Sequence, residues 1–503
     1  MVHKMRVISM MNEIMNTGVK CSAHSTCGFA STNKSNSLQC EYAFEMACSN
    51  IRYGPGVTKE IGMDIRNFNS KKALLVTDKN VSRLPTFKIA LDSLSKHGID
   101  FDLYDEVHIE PTDVSMMHAV RFSRTKSEPY DIFVAIGGGS VIDTCKVINL
   151  LTTDKEAELL DYVNAPIGKG KLILTPLKPM IAVPTTSGTG SETTGVAIFD
   201  LISMKAKVGI SQRALKPTLG IVDPDHTAFL PRDVTCYSGF DVLCHALESF
   251  TAIPYNQRTP CPSNPIERPA YQGSNPISDV WSIHALQIIS NYFRRSVNDP
   301  MDSEARSQMH FAGALAGMGF GNAGVHLCHG MSYPVSGLAK SLYSNLNDYK
   351  PVTNTMKPFI PHGLSVVITA PAVFQFTFPL CPNRHLNAAR FLDPKVSESR
   401  CKNSDSGAIL SDVVNNFIVI QFNFCTNEPV RKLFCIFDIS FKVRKYMEDL
   451  KVPDGLEKLG FAAMDIPDLV EGTLPQHRVT KLSPRPVVKE DLFNLFKNSM
   501  KIF

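Results

Sequence analysis

The chain has 503 residues, of which 44% are hydrophobic and 20% are charged, and its formal net charge is +4. This length predicts more than one domain, and the composition is that of an ordinary globular protein. The small net charge and the lack of a basic stripe argue against nucleic-acid binding. Because no uninterrupted apolar run reaches about 18 residues, we expect no membrane span. The 13 cysteines include no CxxC pair, which argues against a disulfide framework and for a reducing compartment.

The start of the chain has a composition of its own. Glu13 is the only acidic residue among the first 40 residues, four residues there are lysine or arginine, and Ser, Thr and Asn crowd the second half. This composition predicts a mitochondrial transit segment, which we place at residues 1–45, and hence a location in the mitochondrial matrix. A disordered tail without an address is the alternative.

Between residues 46 and 228, short apolar strands alternate with amphipathic helices. The predicted strands lie at 71–78, 101–105, 130–140, the start of 179–194, and 219–225, and a hairpin is predicted from 196–200 and 206–210. Strands that alternate with helices predict a parallel sheet covered on both faces. We therefore expect a Rossmann-like dinucleotide-binding domain at 46–228.

From residue 229 to residue 503, helical spacing of the apolar residues replaces the strand signals. The clearest helical segments are 232–250, 277–297 and 302–331, and a Pro- and Asn-rich extended loop is predicted at 253–276. We expect an all-helical domain that binds metal and substrate. The predicted fold class is therefore α/β followed by all-α.

One segment, 415–441, interrupts this helical pattern. It is aromatic, strand-like and contains cysteine. It is either a genuine insertion, such as a strand pair, or an artefact of the gene model, such as a translated intron.

A glycine cluster follows the third predicted strand. Gly137, Gly138 and Gly139 precede Ser140 and a helix-like segment. The glycines allow the backbone to turn sharply and approach a ligand, and the N–H groups that begin the following helix favour an anion. A pyrophosphate is the expected guest. The usual GxGxxG fingerprint is absent, however, and a tight strand–helix turn explains the glycines equally well.

A second loop carries hydroxyl groups after the next predicted strand. Thr185, Thr186, Ser187 and Thr189 lie in the segment PTTSGTGSETT. Such a loop can hydrogen-bond a ribose or a phosphate, while the alternative is a helix N-cap with Glu192 as the capping partner.

Asp78 ends the first predicted strand. An acid at this place can accept a hydrogen bond from the 2′-OH of an adenosine ribose, which favours NAD over NADP. The alternative is a helix cap.

Metal-ligating residue types gather in the helical half. Asp241 and His245 project from one helix face, and His326, His329 and His362 follow in two later segments. One carboxylate and three imidazoles suit Fe²⁺ or Zn²⁺, although the spacing does not choose between His326 and His329. The alternatives are a buried Asp–His hydrogen bond and ordinary core histidines.

Five motifs in chain order resemble the iron-containing alcohol dehydrogenase family: GGGS after a strand, PTTSGTGSE, GFDVLCHALES, HGMSYP and PHG. The resemblance spans roughly residues 45–400 and resumes at 442. It implies a nucleotide domain followed by a helical metal domain. The metal ligands that it implies are Asp241, His245, His329 and His362, with His326 as a neighbour.

The same resemblance implies nucleotide contacts. They fall on Asp78, on Gly137 to Ser140, and on the Thr185–Thr189 loop, with Lys207 as a weaker candidate. Many members of the family have a histidine where this chain has Tyr333. Tyr333 therefore either takes over a catalytic role or only shapes the pocket.

Finer details, such as SNIRYGPGVTKEIGMD and GTLPQHRVTKLSPRP, resemble one branch of this family. That branch implies oxidation of 4-hydroxybutyrate to succinate semialdehyde, coupled through bound NAD to reduction of 2-oxoglutarate to 2-hydroxyglutarate. A dehydrogenase with the same motifs and exchangeable NAD is the alternative. The expected partners are small-molecule hydroxy acids and oxo acids, with a homodimer as a further option.

Both substrates carry carboxylates, so the site should supply cationic partners. Arg258 and Arg268, in the loop at 253–276, are the candidates. Ordinary solvated charge is the alternative for each of them.

Overall fold

The computed structural model of the protein describes residues 39–126, 128–204, 206–338, 359–392 and 438–503. Residues Cys40–Phe503 form one compact unit. Most of the predicted transit segment at 1–45 and of the anomalous segment at 415–441 lies outside the described residues, so both interpretations stay predictions.

In the described part of the chain, eight strands form two sheets. They are β1 Asn50–Tyr53, β2 Lys72–Val76, β3 Asp100–Tyr104, β4 Ile132–Gly137, β5 Met180–Pro184, β6 Val196–Leu201, β7 Ala206–Ser211 and β8 Leu219–Val222. Six of them pair in parallel in the order β1-β8-β5-β4-β2-β3, and β6 and β7 form an antiparallel pair. The predicted parallel strands and the predicted hairpin are thus confirmed.

The sequence pattern does not predict the strand β1. Its four residues, NIRY, are exposed or only partly buried and carry no apolar alternation. The strand exists because its backbone pairs with β8, where Ile51 lies opposite Gly220. Pairing of this kind between distant segments leaves no periodic signal in either of them.

Helices cover both faces of the parallel sheet. The helices of this half are α1 Ile61–Asn67, α2 Pro85–Lys96, α3 Asp113–Arg124, α4 Gly139–Thr153 and α5 Leu159–Tyr162. Alternate residues of β2 point to opposite faces. Ala73 and Leu75 join a core with α1 and α2, whereas Leu74 and Val76 join a core with α3 and α4. Burial on both faces explains why these strands are almost continuously apolar.

After β8, the regular elements among the described residues are helices. The α-helices are α6 Arg232–Thr251, α7 Pro276–Asn298, α8 Ser303–Ala323, α9 Leu327–Gly337, α10 His362–Val367, α11 Ala370–Thr377, α12 Pro382–Phe391, α13 Ile439–Asp449, α14 Gly455–Lys458, α15 Ile466–Thr473, α16 His477–Thr480 and α17 Lys489–Asn498. Among the described residues, no strand follows Val222. The predicted fold class, α/β followed by all-α, is confirmed.

The predicted helical segment at 302–331 is two helices. It breaks at Gly324, which has φ of 94°, between α8 and α9. A Cβ at Gly324 would lie 2.4 Å from a methyl carbon of Leu482. A glycine is needed here for both the left-handed backbone and the close packing, and this turn begins the segment that carries His326 and His329.

The folded unit begins before the boundary that we predicted after residue 45. Arg268 donates from Nε and Nη2 to the carboxylate of Glu41, each at 3.1 Å, and the backbone N–H of Glu45 donates to Gln272 at 2.8 Å. The composition of the leader cannot reveal these partners, because they lie more than two hundred residues away. The boundary between 228 and 229 remains a proposal; β8 ends at Val222 and α6 begins at Arg232.

No helix within the described ranges is long and apolar enough to cross a membrane.

Candidate metal and nucleotide site

The structure brings the four predicted metal ligands together. Asp241 and His245 lie one turn apart in α6, His329 lies in the first turn of α9, and His362 is the first residue of α10. The Oδ1 atom of Asp241 is 3.6, 3.4 and 3.7 Å from the Nε2 atoms of His245, His329 and His362, respectively. Potential ligand atoms of Asp241, His329 and His362 all lie within 4.8 Å of one another. Three imidazoles therefore face one carboxylate oxygen.

The arrangement leaves buried polar atoms without hydrogen-bond partners. Oδ1 of Asp241 and Nε2 of His329 are both buried and unpaired. Such atoms are costly unless something else satisfies them. A divalent cation among these four side chains would satisfy both atoms, and one carboxylate with three imidazoles is a suitable donor set.

The protonation of three of these four groups fits a cation site. Burial opposes ionisation of Asp241, but the facing imidazoles outweigh it and hold the pKa of this carboxyl well below its usual value. Burial lowers the pKa of His245 to about 3 and also lowers the pKa of His362. Burial works against the protonated form of His329 as well, but neighbouring carboxylates outweigh it and raise its pKa to about 9. Neutral imidazoles and an ionised carboxylate are the forms that bind metals, so Asp241, His245 and His362 are in the binding form. His329 gives up a proton when a cation binds.

Glu248 is part of this site, although it is not among the residues predicted from the sequence. It is fully buried, and its Oε2 atom accepts a hydrogen bond from Nδ1 of His329. Its Oε1 atom accepts from the backbone N–H groups of His326 and Cys328 at 3.0 and 2.7 Å. Burial raises the pKa of Glu248, but the neighbouring histidines outweigh it and bring it to about 2. A carboxylate behind a metal-ligating histidine fixes the ring and increases its basicity.

A signal for Glu248 was present in the sequence. It follows Asp241 by seven residues and His245 by three. Residues with these spacings lie on one face of a helix.

His326 lies outside the ligand cluster. Its Nε2 atom is 3.0 Å from the hydroxyl of Thr251, and its Nδ1 atom is 3.3 Å from Glu248. Its ring is fully buried and contacts the partner of His329, Glu248, from outside the ligand cluster. Of the two histidines that the spacing left open, it is His329 whose Nε2 atom faces Asp241, which favours His329 as the ligand.

The glycine cluster joins β4 to α4. None of Gly137, Gly138 and Gly139 has a positive φ, so close approach is what requires them. A Cβ at Gly139 would lie 2.5 Å from Cγ2 of Thr189, and one at Gly138 would lie 3.3 Å from Cγ2 of Thr186. The two predicted nucleotide loops therefore touch each other. The N-terminus of α4 has no side-chain cap, which leaves its first N–H groups available to an anion.

The hydroxyl residues of the second loop divide into two groups. Thr185 is buried and its backbone N–H donates to Gly137, and Ser187 is buried with its hydroxyl 3.2 Å from Nδ1 of His310. Thr189 faces the pocket described below, as does Ser140. The alternative of a helix N-cap with Glu192 is wrong, because the next element is the strand β6.

Asp78 makes the local bonds of a capping residue. Its Oδ1 atom accepts from the backbone N–H groups of Asn80 and Val81 at 2.8 and 3.0 Å. It also follows β2, which is paired with β4, so its loop and the glycine cluster lie at the same edge of the sheet. Asp78 therefore makes the hydrogen bonds expected of the capping alternative. Its contact with a ribose stays a prediction.

One pocket contains both halves of the site. The residues that line it include Gly139, Ser140 and Thr189 from the nucleotide loops and Asp241, His245, His329 and His362 from the metal cluster. Lys207 also lines the pocket, but its ammonium group is bound by Glu110 and, at 3.0 Å, by Asp200. Since two carboxylates already bind the ammonium group of Lys207, the structure gives less support to the predicted contact of Lys207 with the nucleotide.

Tyr333 lines the same pocket one helical turn after His329. Its hydroxyl accepts a hydrogen bond from Nη2 of Arg478, and Tyr271 lies nearby on the same wall. The sequence motifs point to neither Arg478 nor Tyr271. Each of them comes from a segment without a recognisable catalytic motif.

The structure does not place the two predicted carboxylate-binding arginines at this pocket. The guanidinium of Arg268 is buried against Glu41, and neither Arg268 nor Arg258 is among the lining residues. The functional interpretation of Arg268 is wrong, and so is the alternative of a solvated charge, since the residue is only 9% exposed.

Two protein-family models match this chain, one in the part that contains the parallel sheet and one in the helical part. The family described as iron-containing alcohol dehydrogenase matches residues 48–224, and the C-terminal part of the Fe-containing alcohol dehydrogenase family matches residues 266–340.

Curated proteins and solved structures extend the comparison. The mitochondrial hydroxyacid-oxoacid transhydrogenases of Mus musculus and Homo sapiens are 53% and 52% identical to this chain. Each alignment covers 99% of this chain and 98% of the relative. That of Caenorhabditis elegans is 47% identical, with 93% of this chain and 92% of the relative covered. The structure of a 1,3-propanediol oxidoreductase has a TM-score of 0.70 at 23% identity, covering 91% of this chain and 100% of its own, which shows a shared fold.

Proposed function

This chain belongs to the iron-containing alcohol dehydrogenase family, and we propose that it is an oxidoreductase that transfers hydride between a hydroxy acid and an oxo acid. It oxidises 4-hydroxybutyrate to succinate semialdehyde and reduces 2-oxoglutarate to 2-hydroxyglutarate. Its relatives from mouse, human and nematode, aligned over nearly their whole length, are named hydroxyacid-oxoacid transhydrogenase. They are also named mitochondrial, so we assign this enzyme to the mitochondrion.

The observation that carries the proposal is the shared pocket. Gly139, Ser140 and Thr189 line it from the nucleotide loops, and the cluster around Asp241 lines it from the helical half. A cofactor anchored at the N-terminus of α4 can thus reach a substrate at the cluster. Both substrates can use this one place in turn, as transfer between two substrates requires.

We propose a divalent metal held by Asp241, His245, His329 and His362, with Fe²⁺ as the expected ion and Zn²⁺ as the alternative. When bound, the metal supplies a Lewis acid beside the reacting oxygen, and the nicotinamide supplies the hydride carrier. Glu248 holds the ring of His329 through Nδ1, so that Nε2 points into the cluster.

We propose NAD as the cofactor, and we propose that it stays bound through the reaction. The uncapped N-terminus of α4 would hold its pyrophosphate, and the loop that begins after β2 would reach its adenosine ribose. Tyr333 stands one turn from His329 and lines the pocket, where it would contact the substrate.

The test of the function uses purified, desalted enzyme with 4-hydroxybutyrate and 2-oxoglutarate and without added nucleotide. We expect 2-hydroxyglutarate, followed by mass spectrometry, to form only when both substrates are present. Denaturing the same sample should release NAD in proportion to the protein.

The contrary result identifies the nearest alternative function. If no product forms until free NAD is added, and NADH then accumulates, the protein is a dehydrogenase with an exchangeable cofactor. Elemental analysis of the same preparation identifies the metal, and its elution volume shows whether the enzyme is a homodimer, as we propose.

A further inference from the structure

The substrates proposed above share a chemical feature. In 4-hydroxybutyrate the carboxylate lies three carbons from the carbon that is oxidised. In 2-oxoglutarate the far carboxylate lies three carbons from the carbon that is reduced. One cation at a suitable distance from the metal cluster would therefore recognise both substrates.

Arg478 is at a suitable place. Its Nη2 atom donates to the hydroxyl of Tyr333, and its guanidinium carbon lies 5.2 and 5.8 Å from the ring centres of Tyr271 and Tyr333. Both tyrosines line the pocket. A Cβ added to Gly209 would lie 3.7 Å from the same Nη2 atom, and Gly209 pairs with the pocket residue Ile198. Arg478 thus lies behind the part of the pocket wall that Tyr271, Tyr333 and Ile198 form.

The distance from the metal cluster also suits these substrates. Tyr333 follows His329 by four residues in α9, a separation of about 6 Å along the helix axis. Arg478 is one hydrogen bond beyond Tyr333. A substrate whose reacting carbon lies at the cluster can extend its remaining carbons along this wall toward Arg478.

The charge of Arg478 has no carboxylate partner among the described residues. It is partly buried, and within the described part of the chain no carboxylate lies within 4.0 Å of it. The other cation of the pocket wall, Lys207, is bound by Glu110 and Asp200. A guanidinium held between two tyrosines keeps donors for an anion, because it has five N–H groups and can bind a carboxylate through two of them.

We propose that Arg478 binds the carboxylate that lies three carbons from the reacting carbon, in both half-reactions, and that Tyr333 and Tyr271 hold it in position. Arg478 thereby sets the substrate class of the enzyme. This inference rests on the proposed function, since it concerns the recognition of the same two acids.

The test compares charged and uncharged substrates in the holoenzyme with NAD supplied in excess. In Arg478→Gln, the half-saturating concentrations of 4-hydroxybutyrate and 2-oxoglutarate should rise by about 10- to 100-fold, the range expected when a charged hydrogen-bonding partner is lost. Reduction of the nicotinamide by 1-butanol, which has no carboxylate, should keep its rate and its half-saturating concentration. Arg478→Lys should be intermediate for the acids.

Arg485→Gln is the matched control. Arg485 is also partly buried and lies 4.1 Å from the ring centre of Phe376, but Phe376, unlike Tyr271 and Tyr333, does not line the pocket. Its replacement should leave the half-saturating concentrations of both acids unchanged. An equal loss with 1-butanol and with the acids in Arg478→Gln would show a structural role only and overturn the proposal.

A measurement on the wild-type enzyme covers the case of a variant that does not fold. The amide of 4-hydroxybutyrate should saturate at a concentration about 10- to 100-fold higher than the acid. Equal values for acid and amide would overturn the role of Arg478. Failure of the wild-type enzyme to couple the two acids would instead overturn the proposed function, so the two failures are distinguishable.

Discussion

Glu248 shows how a residue that does not face the substrate can set the geometry of a site. Its two carboxylate oxygens accept from Nδ1 of His329 and from two backbone N–H groups at the start of α9. One side chain thus fixes both the ring and the helix that carries it. Since metal-ligating histidines depend on such partners, Glu248 should matter for metal retention.

Replacing Glu248 by Gln tests this dependence. A glutamine has one acceptor oxygen for three donors, and its amide group would face backbone N–H groups. We expect the affinity for the metal to fall by roughly 10- to 100-fold. The metal-to-protein ratio during titration with a chelator measures the change.

Glu304→Gln is a matched control, because Glu304 is an exposed partner of Arg295. It should retain metal like the wild type. Wild-type retention in Glu248→Gln would show that the His329 ring does not need its carboxylate partner.

At the scale of the element, the junction of β4 and α4 determines where a nucleotide can bind. The helix is buried along most of its length and begins without a side-chain cap beside the Thr189 loop. Its free N–H groups and its dipole act together on an anion. The glycines keep this end of the helix open to a ligand and in contact with the second loop.

Gly139→Ala should disturb this junction. The new Cβ would lie 2.5 Å from Cγ2 of Thr189, so one of the two loops must shift. We expect nucleotide retention to weaken by at least about tenfold, or about 1.4 kcal/mol. The nucleotide released by denaturation, per mole of chain, measures the effect.

Gly138→Ala is the graded comparison for this prediction. Its Cβ would lie 3.3 Å from Thr186, a contact that a small movement relieves. Retention should therefore fall less than in Gly139→Ala. Equal retention in the two variants and the wild type would mean that the junction does not hold the nucleotide.

At the scale of the whole molecule, neutral histidines buried between the sheet and the helices link stability to pH. His226 follows β8, and its Nε2 atom is 2.9 Å from the hydroxyl of Thr58, while His310 lies in α8. Burial lowers the pKa of His226 to about 4 and that of His310 to about 3. Both values lie below that of a histidine in the unfolded chain, about 6.5.

The sign of the effect follows from this difference. As the pH falls from about 6.5 toward 4, the unfolded chain takes up protons that the folded chain does not, so the free energy of unfolding decreases. His226 alone should account for about 3 kcal/mol of this loss. Melting temperatures measured across this range should fall less steeply for His226→Gln, which keeps a donor for Thr58 but does not titrate.

His284→Gln is the control for the pH series, because His284 is exposed. Its melting temperature should follow that of the wild type. Any loss of the metal with acid is common to all three proteins and cancels in their differences. Parallel curves for His226→Gln and the wild type would contradict the prediction.

The sequence by itself determined the order of the elements, the parallel sheet followed by helices, and the residue types of the site. Those properties are local, because strand and helix periods and the positions of Gly, Pro, Asp and His are legible within a few residues of each other. That is why Asp241 and His245 could be assigned to one helix face, and why β6 and β7 could be recognised as a hairpin.

The tertiary structure alone decided which distant residues are partners. It paired Arg268 with Glu41 across 227 residues, Lys207 with Glu110 across 97, and His329 with Glu248 across 81. It also placed Arg478 beside Tyr333, 145 residues apart. A charged side chain shows its type in the sequence but not its partner, because pairing depends on how separate elements pack, and packing leaves no periodic trace in either segment.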